Sequence, residues 1–189
     1  DKCRLCGIKV EIVTHIISAC KMLAQREYKR RHDKVCTYVH WHLCNIKGFS
    51  AGDKWYTHRA EKVLEDEHTK LLWDFNVQTD RVIEHRRPDI ILIDKESKVC
   101  FLIDVAVPGD HNVDFKEIEK LDNYSDLRTE IERMWNVKAH IIPVVIGALG
   151  SIPEKLTNFL DRLKIKYDIG TMQKTAILGS AHILRKVLS

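Results

Sequence analysis

Residues 87–107, RPDIILIDKESKVCFLIDVAV, decide the fold. Two unbroken apolar runs, 89–94 and 99–107, flank the polar turn Lys95-Glu96-Ser97-Lys98. Unbroken rather than alternating runs mark strands covered on both faces, and the short polar turn between them makes a hairpin. Pro88 lacks the N–H that a sheet ladder needs and separates this hairpin from what precedes it. Pro108-Gly109-Asp110 stops its second strand.

Working outward, residues 57–74 carry Ala60, Val63, Leu64, Leu71 and Leu72 near helical spacing, which predicts a helix. Residues 77–84 alternate and predict a strand. Residues 113–135 give the strongest helical pattern, with Phe115, Ile118, Leu121, Ile131, Met134 and Trp135 facing inward. Residues 139–147 predict a further buried strand, followed by helices near 153–166 and 171–187. The order α-β-β-β-α-β-α-α implies an α/β domain with a mixed central sheet flanked by helices. Ahead of it, 21–46 read as helix, and the turn-rich segment 48–53 divides the chain into 1–50 and 51–189.

With 189 residues, 44% hydrophobic and 31% charged, the chain can bury a core, which excludes a wholly disordered protein. No apolar run approaches the roughly 20 residues of a membrane span. It begins at Asp1 rather than Met, from which a piece of a longer polypeptide is expected. Net charge is +4 but unevenly spread: residues 1–59 hold 12 Lys/Arg against 5 Asp/Glu. A basic head suggests a polyanionic partner, or simply a solvated surface. The cysteines do not form a secretory framework, so a reducing intracellular compartment fits, and Cys100 reads as a buried core residue.

Cys3, Cys6, His15 and Cys20 spell C-x2-C-x8-H-x4-C. Three thiolates and an imidazole suit a closed tetrahedral zinc site, with the last pair set across a helical turn. The bland alternative is a set of core thiols. Cys36, His40, His42 and Cys44 are a second, less regular cluster. Lys29, Arg30 and Arg31, with Arg26 and Lys34, could grip phosphates or line an exposed helix face.

The hairpin brings Asp89 and Asp104 side by side at one end of the sheet. Two such carboxylates repel unless a divalent cation lies between them, and oxygen ligands suit Mg²⁺ or Mn²⁺. The alternative is a pair of turn-forming acids. A lysine two residues past the second acid would complete a hydrolytic site, but that position is Ala106. Lys116 and Lys120 of the next helix share one face and could substitute. Asp94 borders the turn and reads as solvated.

Together these residues resemble the C-terminal region of non-LTR (LINE-type) retrotransposon polyproteins: a CCHC zinc knuckle followed by a restriction-like PD-(D/E)XK endonuclease. The resemblance implies an αβββαβ core and a nuclear enzyme that nicks DNA so that an upstream reverse transcriptase can prime synthesis. It implies a structural Zn²⁺ on Cys3, Cys6, His15 and Cys20, and a catalytic Mg²⁺ or Mn²⁺ on Asp89 and Asp104. Lys120, preceding Tyr124, would be the catalytic lysine, with Lys116 in reserve. Asn123 stands where the family often has a basic residue. Arg86 and Arg87 would meet the DNA backbone with Lys29, Arg30 and Arg31, the element's RNA is a further partner, and Glu65 could approach the site. The competing reading is a catalytically inactive nucleic-acid binding or assembly module.

Overall fold

The computed structural model describes residues 1–164 and 169–189. The chain opens with α1 (Val13–Ser18) and α2 (Lys21–Leu23), which passes through a π-helical turn at Ala24–Tyr28 into the long α3 (Lys29–Lys47). Gly48 ends α3 in the left-handed region (φ 77°), its N–H directed at the Asn45 and Cys44 carbonyls. Then follow β1 (Val63–Glu65), β2 (Thr69–Trp73), β3 (Ile90–Asp94) and β4 (Val99–Ala106). The helices α4 (Val113–Asn123) and α5 (Ser125–Trp135) lead to β5 (Lys138–Val145), and α6 (Leu156–Arg162) and α7 (Ile169–Leu188) close the chain.

The strands form one mixed sheet in the order β1-β2-β3-β4-β5, antiparallel through β4 and parallel between β4 and β5. A parallel pair needs a long crossover, which α4 and α5 provide. Ile90, Leu92, Ile103, Val105, Ile142 and Val144 face one core with α3, α6 and α7. Ile91, Cys100, Leu102 and Ile141 face the other, with Leu127 and Ile131 of α5. Burial of alternate side chains on both faces is what makes the strands read as unbroken apolar runs. Val35, Val39 and Leu43 of α3 lie in the same cluster as Leu71 and Ile90, so residues on either side of 50/51 share one core.

Four expectations are corrected. Residues 57–74 are not a helix but contain the β1–β2 hairpin, whose turn Asp66 closes by accepting the N–H groups of His68 and Thr69 at 2.8 and 2.7 Å. Leu71 and Leu72 are both buried because they point into opposite cores, a pattern that imitates helical spacing. Residues 77–84 form no strand: Val77 is buried, but Val82 is fully exposed and the alternation has no neighbouring ladder to join. The 113–135 helix breaks at Tyr124 (φ −98°, ψ 4°), and Phe115 and Ile118 face solvent, so the inward stripe begins later than its periodicity suggests. The 153–166 helix is confined to α6; residues 165 and 166 lie outside the described residues. No helix among the described residues is long and apolar enough to cross a membrane.

Arg31 is a further correction: it does not lie on a phosphate-binding surface. It is 2% exposed. Its Nη1 donates to the Ile17 carbonyl (2.7 Å) and to Ser180 Oγ (2.8 Å), and Nη2 to the Val107 carbonyl (3.2 Å). One guanidinium thereby ties α1, α7 and the exit of β4 together. A Cβ on Gly179 would stand 2.5 Å from Arg31 Cγ, so this approach requires glycine there. Replacing Arg31 with Met removes a charged donor from buried acceptors, and should cost about 3 kcal/mol. Thermal unfolding should register this as a Tm drop of roughly 6–12 °C; an unchanged Tm would show that the guanidinium is not a structural tie.

Candidate active site and metal-ligand clusters

The β3–β4 register pairs Ile90 with Ile103, and one step outward it sets Asp89 opposite Asp104. Asp89 N–H donates to Asp104 Oδ1 (3.2 Å), and Val105 N–H donates to Asp89 Oδ2 (2.7 Å). The two expected acids therefore do meet. Asp104, on the face that carries Cys100 and Leu102, is only 4% exposed. Burial pushes its carboxyl up, and the charge of Asp89 pushes the same way against the pull of Lys120, raising it to about 6. Burial also acts upward on Asp89, but contacts from His32 and the Val105 N–H outweigh it and leave that carboxyl below its ordinary range.

From the last turn of α4 and its C-cap, two side chains four residues apart reach Asp104. Lys120 Nζ lies 2.6 Å from its Oδ2, and the Tyr124 hydroxyl donates to its Oδ1 at 3.1 Å. Lys116 instead pairs with Glu119 on its own helix. Of the two lysines, Lys120 is the one at the acids. Burial opposes the charge of Lys120, but Asp104 overcomes this and raises its pKa.

His32 of α3 is a participant that sequence reasoning missed. Its Nε2 lies 3.1 Å from both Asp89 Oδ2 and the Val105 carbonyl oxygen, and its Nδ1 lies 3.0 Å from Asp33 Oδ1. Burial disfavours its charge, but the Asp89 and Asp33 carboxylates outweigh burial and raise it to about 9. An imidazolium thus sits where two oxygens converge. A pocket of about 160 Å³ opens here, lined by Lys29, His32, Asp33, Cys36, Trp73, Asp74 and Asp89. A larger hollow of about 520 Å³ lies at the other end of the sheet, near Ile93 and Trp135, with no carboxylate or imidazole in its lining. The signal for His32 was its spacing: His32, Cys36, His40 and Cys44 recur every four residues, which on a helix is one face.

Other expected residues are placed as follows. Arg87 is turned onto Asp74, with Nε and Nη2 each 2.8 Å from its carboxylate, and Arg86 is half-buried. Lys29 is exposed and pairs with Asp33, and Arg30 is exposed. Asp94 accepts the N–H groups of Glu96 and Ser97 at the far end of β3 and shapes the turn. Glu65 does not approach the site: it stands on β1 at the turn end of the sheet, paired with Lys95 and Lys70.

Cys3, Cys6, His15 and Cys20 come together, each offering one ligand atom within 4.8 Å of the others. Gly7, at φ 66°, makes the tight turn that returns the chain after Cys6, and Gly7 N–H bonds the Cys3 carbonyl at 2.8 Å. His15 belongs to α1, whereas Cys20 lies beyond its end and opens α2, so the pair does not sit across one helical turn. The Tyr28 hydroxyl closes the lobe from below, donating to the Ile16 carbonyl at 2.6 Å and accepting the Cys20 N–H at 3.0 Å. The second expected cluster is redrawn. Cys36 belongs with His32 and Asp89, and His42 stands against the Tyr38 and Trp41 rings, while His40 and Cys44 meet His58.

No known protein-family model matches this chain, and no curated protein matches it.

The titration of Asp104 is a direct check on this geometry. The folded state holds its proton more tightly than an unfolded chain, whose Asp titrates near 3.8. The stability it contributes is therefore full below about pH 4 and is lost as pH rises through about 6. Carboxyl carbon NMR should show that raised midpoint, and Lys120→Met should move it higher still by removing the neighbouring cation. A midpoint that stays put in the variant would mean that Lys120 does not act on Asp104 in solution.

Proposed function

We propose that this chain is a metal-dependent endodeoxyribonuclease of the restriction-like PD-(D/E)XK type. In this reading it acts within a non-LTR retrotransposon polyprotein, nicking nuclear DNA so that an upstream reverse transcriptase can extend from the exposed 3′ end. The single observation that carries the proposal is the meeting of Asp89 and Asp104 at one sheet end, with the Lys120 ammonium on Asp104. The succession α3–β1–β2–β3–β4–α4–α5–β5 contains an αβββαβ order, with β1 added at the edge of the sheet beside β2.

The ion in this proposal is a hard divalent cation. Carboxylate oxygens of Asp89 and Asp104 and the Val105 carbonyl offer oxygen ligands, and His32 already holds positive charge between two of them. Mg²⁺ or Mn²⁺ bound there would polarise the scissile phosphate and activate water. Asp89 and Asp104 would hold the ion. Lys120, its charge sustained by the acids, would offset negative charge developing on the phosphate, replacing the lysine missing at position 106. That approach from α4 favours hydrolysis over a binding module with a lapsed site. Lys29, Arg30, Arg86 and Arg87 would meet the DNA backbone, or the element's RNA, through charge alone.

In the same proposal Zn²⁺ occupies the Cys3-Cys6-His15-Cys20 cluster and folds the lobe around it. Burial acts on Cys20 to hold its thiol up, whereas N–H groups of Lys9 and Ile8 at Cys6 lower that thiol to about 6.

Supercoiled plasmid with Mn²⁺ is the test. The wild-type chain should convert it to nicked circles, Asp89→Asn and Asp104→Asn should not, and Lys120→Met should be slower by about 10²–10³-fold. Lys116→Met should cut normally. Nicking at the wild-type rate by either acid variant would end the hydrolytic proposal. Separately, a strong chelator should release zinc and speed hydrogen exchange in residues 1–20 while amides of β3–β5 stay protected. Uniform loss of protection would contradict a locally metal-folded lobe.

A further inference from the structure

We propose that His40, Cys44 and His58 form a second transition-metal site, of the zinc class, independent of both the N-terminal cluster and the acid pair. His40 and Cys44 stand one helical turn apart on the buried side of α3, both 0% exposed. His58 arrives from the other direction, just after the 3₁₀ turn Trp55–Thr57. Their ligand atoms lie within 4.8 Å of one another.

The contacts among them are poorly satisfied as hydrogen bonds. His40 Nδ1 lies 2.8 Å from His58 Nε2 and 3.5 Å from Cys44 Sγ. An imidazole nitrogen has one in-plane position, either a proton or a lone pair, so it cannot serve two such partners well. A cation at their common centre takes a lone pair from all three at once. Ligation at about 2.0–2.1 Å for nitrogen and 2.3 Å for sulfur in a tetrahedron sets ligand atoms roughly 3.3–3.6 Å apart. The sulfur–nitrogen spacing already matches, and the nitrogen pair need open by only about half an ångström to match.

Two imidazoles and one thiolate suit Zn²⁺ rather than a hard cation. Three protein ligands leave a fourth position for water. The surroundings are aromatic: the His40 ring stacks on His58 (5.0 Å) and meets Trp73 edge-on (5.2 Å). The same Trp73 lines the pocket beside Asp89. A metal here would clamp residues 55–58 onto α3 and brace one wall of that pocket.

α3 then carries the motif H-x3-C twice in tandem. His40-x3-Cys44 meets a further imidazole, His58, whereas His32-x3-Cys36 faces the Asp89 carboxylate, which His32 contacts at 3.1 Å.

The test is the zinc content of the whole chain after dialysis against buffered zinc, by mass spectrometry of the metal. The expected result is one equivalent beyond that held by the N-terminal cluster. His58→Ala and Cys44→Ala should each lose that equivalent, and Cys3→Ser/Cys6→Ser should lose the other. If the buried Cys44 variant fails to fold, the more exposed His58→Ala and Co²⁺ substitution of the wild type decide the matter. A one-thiolate centre should add its absorption to that of the three-thiolate centre, and should vanish in His58→Ala. A single equivalent that His58→Ala leaves untouched, with Co²⁺ spectra unchanged, would mean a metal-free His–His hydrogen bond and would overturn the proposal.

Discussion

A carboxylate almost wholly removed from water governs this molecule. Leaving Asp104 ionised at the end of β4 without partners would cost several kcal/mol. The chain meets that cost from three directions: an N–H from Asp89, a hydroxyl from Tyr124 and an ammonium from Lys120. Each demands something of the fold. The β3–β4 register must set position 89 opposite 104, and the helix after β4 must turn toward the strand end the face that Lys120 and Tyr124 share, four residues apart.

The other organising element is α3. One side of it packs against the sheet through Val35, Val39 and Leu43. Along the seam it also presents His32, Cys36, His40 and Cys44, so the layer contact that stabilises the fold also delivers soft and titratable ligands to the sheet end. Arg31, next to His32, turns away and fastens α1 and α7 to the exit of β4. Adjacent residues on one helix thus serve the core, the candidate pocket and the attachment of the N-terminal lobe. In the proposed nuclease this gives the pocket a rigid wall, which an electrostatic site needs if its charges are to stay aligned.

The N-terminal lobe has a different physical basis. Its small cluster of buried residues, Cys3, Ile16, Cys20 and Leu23, packs against Ile183 of α7. With so little apolar burial, the proposed Zn²⁺ would supply through ligand bonds the cohesion that a core supplies elsewhere. Ile8, Val10 and Ile12 remain largely exposed on it.

The hairpin of β3 and β4, the strand β5 and the meeting of Asp89 with Asp104 were legible in the residues themselves. Unbroken apolar runs, a short polar turn and a fixed register are local features that leave few alternatives. The Cys/His spacing of the first twenty residues was legible for the same reason. The β1–β2 hairpin was not, because Leu71 and Leu72 are buried on opposite faces and mimic a helix until β3 is there to pair with β2. Nor was the fate of Arg31, which reads as one cation in a basic run and is buried only because α1, α7 and β4 converge on it. His32 at Asp89 and His58 at His40 belong to the same class: each contact joins segments far apart in the chain. Sequence fixes which chemical groups are available and the local backbone they favour; which groups become neighbours is decided by how the layers pack, since only that packing brings distant charges and ligands within bonding reach.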